Sequence, residues 1–337
     1  MRICIFGAGA IGGHLAAKLA AAGHEVSAVA RGANLDALRA NGIELRTVGT
    51  NENDGSRTVS GRVRASDQPT DLGAQDVVFV TTKATALPAL ALSAAALSGP
   101  HTVFVFAQNG IPWWYAQGLA PPRPRPPDLS RLDPGGALAC ALAPERVIGA
   151  VVYSSNDLVA PGVVLNHSAG RNMLVLGEPD DRNSERVEAL RALLGDADMH
   201  SPPVPDIRAA VWDKLLINFG STLCVLLGEP ISAILEDPAL RAVRERLFAE
   251  GRAIARAHGI SLDQAPKRPG GQQGAGPVQH KPSMLQDYEL GRPMEVEAIL
   301  LAPRLFARAA GLEVPTLEAL AAVTARLAVQ KGLYSPS

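Results

Sequence analysis

Cysteine is scarce and scattered. The three in 337 residues, Cys4, Cys140 and Cys224, form no CxxC pair. That speaks against a thiolate zinc site or a disulfide framework and favours a reducing, cytoplasmic setting. The seven histidines include no HxxxH or HExxH, so a metal site has no motif to rest on. Aromatic residues make up only 4%, which argues against a base-stacking surface. Neither charge sign dominates: 32 lysines and arginines face 33 acids, for a formal net charge of −1. Nucleic acid and anionic membranes need a concentrated basic face, so neither is expected as a partner. An uninterrupted apolar run of ~18 residues, enough to span a bilayer, is also missing.

What is present is globular: 47% hydrophobic and 19% charged residues, in a length that suits two domains. Met1 to Ala22 is apolar behind Arg2, but its glycines, His14 and Lys18 fit another role better than a leader peptide. Arg2–Phe6 reads as a buried parallel strand. The GxGxxG of Gly7, Ala8, Gly9, Ala10, Ile11 and Gly12 follows, then an alanine-rich helix to Ala22 stopped by Gly23, then a second strand over Glu25–Ala30. In that context the motif marks a dinucleotide site. Gly7 allows the tight turn, Gly9 the approach of the pyrophosphate, and Gly12 close packing of helix on strand. The phosphates would rest on the free N–H groups of the helix start.

The second strand ends Val29-Ala30-Arg31-Gly32 with no carboxylate. An acid there would accept from the 2′-hydroxyl of NAD; Arg31 instead suits a 2′-phosphate. The expected cofactor is NADP(H).

Further strands are expected over 43–48, 76–81, 102–107, 147–153, 163–167 and 173–177. Asn34 is expected to cap a short helix over 34–41. Six prolines between Ala120 and Gly136 predict an extended surface excursion. The stiff Ser201–Pro205 run sets the expected boundary, giving a nucleotide-binding domain over 1–203 and a helical substrate domain over 204–337. Helices are expected over 206–227, 231–236, 238–258, 283–290, 294–310 and 315–330. The glycine-rich stretch 268–277 is expected to be a flexible loop, a lid being one use of such loops. The fold class is α/β: an N-terminal Rossmann-type dinucleotide-binding domain followed by an all-helical C-terminal domain.

Two clusters in the helical part carry chemistry. Lys214, Asn218 and Thr222 recur every four residues in a mostly apolar helix, so they share a face. A lysine there either snorkels to water or is partly desolvated. Desolvation would lower its pKa from ~10.4 and make it a better proton donor. The second cluster is Ser283-Met284-Leu285-Gln286-Asp287 with Gly291-Arg292-Pro293-Met294-Glu295-Val296-Glu297. Ser283 and Gln286 have the spacing of a capping box, though the hydroxyl could also meet a ligand. Glu295 would complement a helix dipole, or pair with Lys214 or a substrate hydroxyl. Trp113 and Trp114 would pack between domains or line a pocket.

GAGAIG, Lys83 after the third main strand, Gln108-Asn109-Gly110, Trp212-x-Lys214-x-x-x-Asn218, SMLQD and GRPMEVE occur in this order across nearly the whole chain. In this the chain resembles the ketopantoate reductase (2-dehydropantoate 2-reductase) family. The resemblance implies a 6-phosphogluconate-dehydrogenase-like two-domain plan. It implies NADPH-dependent reduction of 2-dehydropantoate to pantoate, on the route to pantothenate and coenzyme A. Lys214 matches the catalytic lysine and Glu295 its partner. Asn218 and Ser283 match substrate-binding residues, Asn109 the asparagine near the nicotinamide and substrate, and Arg31 with Lys83 the 2′-phosphate pair. Two positions depart: Thr222 stands where family members carry a second substrate-binding asparagine, and His280 where another asparagine can contribute. The expected partner is a small 2-oxo acid, with a homodimer left open. A different 2-oxo acid, or a regulator that binds NADPH without turnover, are the alternatives. The motif order fits β-hydroxyacid dehydrogenases poorly.

Overall fold

The computed structural model describes residues 1–49, 57–267 and 281–336. The chain divides into two compact units. One contains Met1–Gln108 and Gly135–Ile207; the other contains Asn109–Pro134, Arg208–Ala265 and the described residues from Lys281 onward.

The first unit alternates strands and helices. Its elements are β1 (Arg2–Phe6), α1 (Ala10–Ala21), β2 (Glu25–Val29), α2 (Gly32–Asn41), β3 (Ile43–Thr47), β4 (Arg57–Gly61), β5 (Arg64–Ser66), β6 (Gln75–Val80), α3 (Leu87–Leu97) and β7 (Ser98–Phe106). After the excursion come α4 (Ala137–Ala141), β8 (Val147–Val152), β9 (Asn156–Ala160), β10 (Val163–Asn166), β11 (Leu174–Gly177) and α5 (Glu185–Asp196). Among the described residues, seven strands form one sheet in the order β11-β8-β7-β6-β1-β2-β5. It is parallel except for β11, which runs antiparallel to β8. A second sheet has the order β4-β3-β10-β9. The central strands read as unbroken apolar runs because both faces are covered: Ile3, Ile5, Val77, Phe79 and Val105 all lie in one buried core with the inner face of α1.

Several expectations need correction. α2 starts at Gly32 with Arg31 at its N-cap, and no side chain caps it. Asn34 instead ties two distant loops together, donating from Nδ2 to Ala8 O at 2.7 Å and accepting from Gly162 N at 2.8 Å. β9 was not expected; its polar start and its position at a sheet edge hide the usual alternation. The proline-rich stretch contains short 3-10 turns at Ser130–Leu132 and Pro134–Gly136.

Among its described residues the second unit holds helices, turns and irregular segments but no strand. Its helices are α6 (Ile207–Leu227), α7 (Ile231–Glu236), α8 (Pro238–Ala257), α9 (Ser283–Glu289), α10 (Ala302–Ala309) and α11 (Pro315–Gln330), with a π turn over Glu297–Leu301 leading into α10. α6 is long and apolar enough to cross a membrane, but 72% of its most apolar window is buried inside the protein. It is a core helix interrupted by Asp213, Lys214 and Asn218. The glycine-rich stretch 268–277 and His280 lie outside the described residues.

Candidate active site

In the first unit the turn after β1 is built so that only glycine fits. Gly7 has φ +104°, and a Cβ there would lie 2.4 Å from Thr82 Cγ2. Thr81 Oγ1 donates to Gly7 O at 2.8 Å, locking the turn to the end of β6. At Gly12 a Cβ would come within 2.2 Å of Gly7 O, so a side chain there would push α1 off the turn. Gly9 differs: it is the N-cap of α1, no side chain caps the helix, and a Cβ would meet nothing within 4 Å. The first-turn amides, flanked by Ala8, Ala10 and Ile11, thus open onto free space at the positive end of the helix dipole, which suits a phosphate.

Arg31 follows β2, and Lys83 follows β6. Because β6, β1 and β2 are neighbours in the sheet, both basic residues and the glycine turn leave the same carboxyl edge, where ligands of such sheets bind. Arg31 is exposed and makes no ion pair among the described residues; Lys83 is half-buried. Two buried polar atoms at this edge have no hydrogen-bond partner among the described residues, Thr82 Oγ1 and Gln108 Oε1. The Gln108 amide is meanwhile fixed by donating to Val80 O at 2.8 Å and Thr82 O at 3.0 Å. An orphaned buried acceptor costs about 1–3 kcal/mol, which a bound polar ligand would relieve. These residues fit a dinucleotide. Thr82 did not stand out in the sequence, and Gln108 was noted only as part of the Gln108-Asn109-Gly110 motif with no role of its own, because burial and not residue type marks them.

In the second unit, Lys214, Asn218 and Thr222 stack on one face of α6. Lys214 and Asn218 are half-buried, and Thr222 is fully buried. Asn218 Nδ2 and Thr222 Oγ1 are both buried without a hydrogen-bond partner among the described residues. Glu295, 8% exposed, lies just before the helical turns leading to α10. Asn109 donates to it from Nδ2 at 3.4 Å, so two residues 186 apart in sequence meet; the sequence offered Lys214 or a substrate hydroxyl as the partner of Glu295, not Asn109.

Ser283 is not the cap its spacing indicated. Pro282 occupies the N-cap of α9 and no side chain caps the helix. Gln286 turns back to donate to Lys281 O at 2.8 Å. Proline fixes the helix entry through its own φ, leaving the exposed Ser283 hydroxyl outside the helix's capping bonds. Behind it, buried Asp287 pairs with Arg292 at 3.2 Å.

Trp113 and Trp114 are buried in a 3-10 turn of the second unit. Next to them, Tyr115 Oη accepts from Trp212 Nε1 at 2.8 Å, and both rings meet Phe306 edge-on at 5.0 and 5.5 Å. Arg208, fully buried, donates to Tyr115 O at 2.8 Å and to Gln117 O. Its guanidinium lies 5.8 Å from the Trp114 ring. This junction fixes the segment that follows Asn109 to the first turns of α6. Arg208 went unnoticed in the sequence, since nothing local distinguishes it from a surface arginine.

Residues 3–113 match the family model described as ketopantoate reductase PanE/ApbA, and residues 206–328 match its C-terminal counterpart. A 2-dehydropantoate 2-reductase from Mesorhizobium japonicum is 42% identical over 99% of this chain and 100% of its own length. A protein assigned as a ketopantoate reductase from Ralstonia solanacearum MolK2 superposes with a TM-score of 0.83 at 36% identity, covering 99% of both chains. A D-mandelate dehydrogenase solved with NADH and anilino(oxo)acetate shares the fold, with a TM-score of 0.79 at 18% identity over 99% of this chain and 100% of its own.

Proposed function

This chain belongs to the ketopantoate reductase family, and we propose that it reduces 2-dehydropantoate to pantoate with NADPH, the route toward pantothenate and coenzyme A. In this reading it is an oxidoreductase acting on a CH–OH group; the unit with Met1–Gln108 and Gly135–Ile207 binds the nucleotide, and the helical unit, which takes in Asn109–Pro134 despite the expected boundary at 203/204, serves the substrate. A cytoplasmic homodimer is part of the same proposal. The observation that carries it is the α6 ladder: Lys214 one turn from Asn218, which is one turn from Thr222, with buried polar atoms on the last two lacking partners among the described residues.

When bound, NADPH supplies the hydride for the 2-oxo carbon. The ammonium of Lys214 gives its proton to the ketone oxygen and stabilises the charge developing there. Glu295, oriented by the Asn109 amide, balances the lysine and accepts from a substrate hydroxyl. Asn218 Nδ2 and the Ser283 hydroxyl donate to the substrate, and Thr222 Oγ1 takes up a hydroxyl or carboxylate oxygen. Arg31 and Lys83 would hold the 2′-phosphate, and the absence of an acid at the end of β2 favours NADPH over NADH.

Thr222 also carries a second reading, a different 2-oxo acid. Its side chain is shorter than asparagine and lacks the amide, so the set of substrate oxygens it can satisfy is smaller. NADPH oxidation by purified protein with 2-dehydropantoate, beside other branched and hydroxylated 2-oxo acids, decides between them. Selective turnover of 2-dehydropantoate is expected, and a better substrate in the panel would move the assignment. Lys214→Ala is expected to abolish turnover while NADPH affinity stays nearly unchanged; retained turnover would remove Lys214 from the mechanism.

A further inference from the structure

The segment that carries Glu295 is held from several directions within the second unit. Ile111 N donates to Ala298 O at 2.8 Å. Gly110, at φ +80°, lies so close to Ala298 that an added Cβ would come within 2.5 Å of its carbonyl carbon. From the C-terminal segment, Leu333 O accepts from Met294 N at 2.9 Å, immediately before Glu295. The hydroxyl of Tyr334 donates to Glu297 Oε2. From the proline-rich excursion, the Arg131 guanidinium lies 3.0 Å from the same Glu297 oxygen and donates to Tyr334 Oη at 2.9 Å.

These three side chains close a triangle on the first residue of the π turn Glu297–Leu301. Glu297 is largely shielded, with its side chain 17% exposed. Burial, the Glu297 hydrogen bond and the Glu297 charge push the Tyr334 phenol up to about 12, so it remains a donor at neutral pH. Arg131 is placed by its own turn: Leu132 N donates to Leu129 O at 2.8 Å, and Ser130 N donates to Asp128 Oδ1 at 2.9 Å. A π turn is wider than an α turn and recurs where a helix start is adapted to function. Here it is pinned at the residue two positions after Glu295.

We propose that Arg131, Glu297 and Tyr334 are positioning residues that fix the Glu295 carboxylate for proton management at Lys214, so that the proline-rich excursion and the C-terminal segment set turnover without touching substrate. The proposal rests on the reading of Glu295 given above. Without the triangle the start of the turn is free to shift, and a misplacement of about 1 Å at a reacting group costs about a hundredfold in rate.

The test is steady-state reduction of 2-dehydropantoate by wild type, Tyr334→Phe, Glu297→Gln, Arg131→Ala, Arg131→Lys and Glu295→Gln, with pH profiles of kcat and direct NADPH titrations. The expected result is a loss of about tenfold to a hundredfold in kcat for Tyr334→Phe and Glu297→Gln, a displaced limb in the kcat–pH profile, unchanged NADPH affinity, and partial rescue of Arg131→Ala by Arg131→Lys. A defective Glu295→Gln beside Tyr334→Phe and Glu297→Gln variants that match wild type in kcat and pH profile would overturn the positioning role alone. A fully active Glu295→Gln would overturn the reading beneath it. Parallel loss of thermal stability and NADPH binding, unrepaired by Arg131→Lys, would mark the triangle as a fold contact and also overturn the proposal.

Discussion

Replacing Gly9 by alanine should separate nucleotide binding from folding. Gly9 has φ −79° and ψ −155°, which alanine adopts without strain, and its Cβ would meet no atom within 4 Å. Gly9→Ala should therefore leave stability unchanged or raise it by up to about 1 kcal/mol, because the unfolded chain loses freedom. The methyl would fill the space a pyrophosphate needs to reach the first amides of α1. Loss of one charge-assisted hydrogen bond, at about 1.5–3 kcal/mol, weakens NADPH binding by about 10- to 100-fold. Gly12→Ala is the contrasting case. Its Cβ would sit 2.2 Å from Gly7 O, 2.5 Å from Thr81 Oγ1 and 2.8 Å from Ile5 Cγ2. Overpacking of that kind costs about 1–3 kcal/mol, against at most about 1 kcal/mol regained in helix propensity. Urea denaturation gives the stabilities, and titration followed by NADPH fluorescence gives the affinities. A Gly9→Ala variant with wild-type affinity would refute the assignment of this turn to the phosphates. A Gly9→Ala variant that fails to fold would refute the open space itself.

Arg31→Ala should weaken NADPH by about 10- to 100-fold and leave NADH nearly unaffected; equal loss for both would cancel the 2′-phosphate role. Buried His14, in α1, has its pKa lowered to about 3 by desolvation and, secondarily, by Lys18. The folded value lies below the unfolded ~6.5, so the unfolded chain takes up the proton first. Stability is full above pH 6.5 and falls as pH drops from there toward 3, by about 2 kcal/mol at pH 5. His14→Gln should flatten that slope in urea titrations at pH 7 and pH 5, and an unchanged slope would show His14 is not its source. Arg208→Met should destabilise the protein by about 2–4 kcal/mol, because Tyr115 O and Gln117 O lose their donor; an unaltered melting curve would contradict this.

The parts legible in the sequence are those whose cause is local. The β1–α1–β2 unit follows from glycine spacing and from apolar runs short enough for strands, and the Lys214–Asn218–Thr222 face follows from helical period alone. Long-range pairing was not legible. β9 carries Asn156 and Asp157 at its start, so no alternation announces it, and among the described residues its only strand partner is β10. Asn34 looked like a cap because caps are its commonest use, yet its partners, Ala8 and Gly162, lie far away in sequence. Ser283 satisfied the capping-box pattern, but Pro282 had already fixed the helix entry. The Arg131–Glu297–Tyr334 triangle joins three segments whose sequence separation reaches 203 residues, beyond the reach of any motif.

The path of the chain bears on how the protein is made. Residues 109–134 belong with the helical unit but are synthesised before most of it. Tyr115 precedes its hydrogen-bond partner Trp212 by 97 residues, which at ~5–20 residues per second is a wait of about 5–20 s on the ribosome. During that interval the apolar Trp113-Trp114-Tyr115 run lacks the helix that later covers it, while the strands after Gly135 are already emerging. Until α6 and then Phe306 emerge, Tyr115 waits for the partners it keeps in the folded protein.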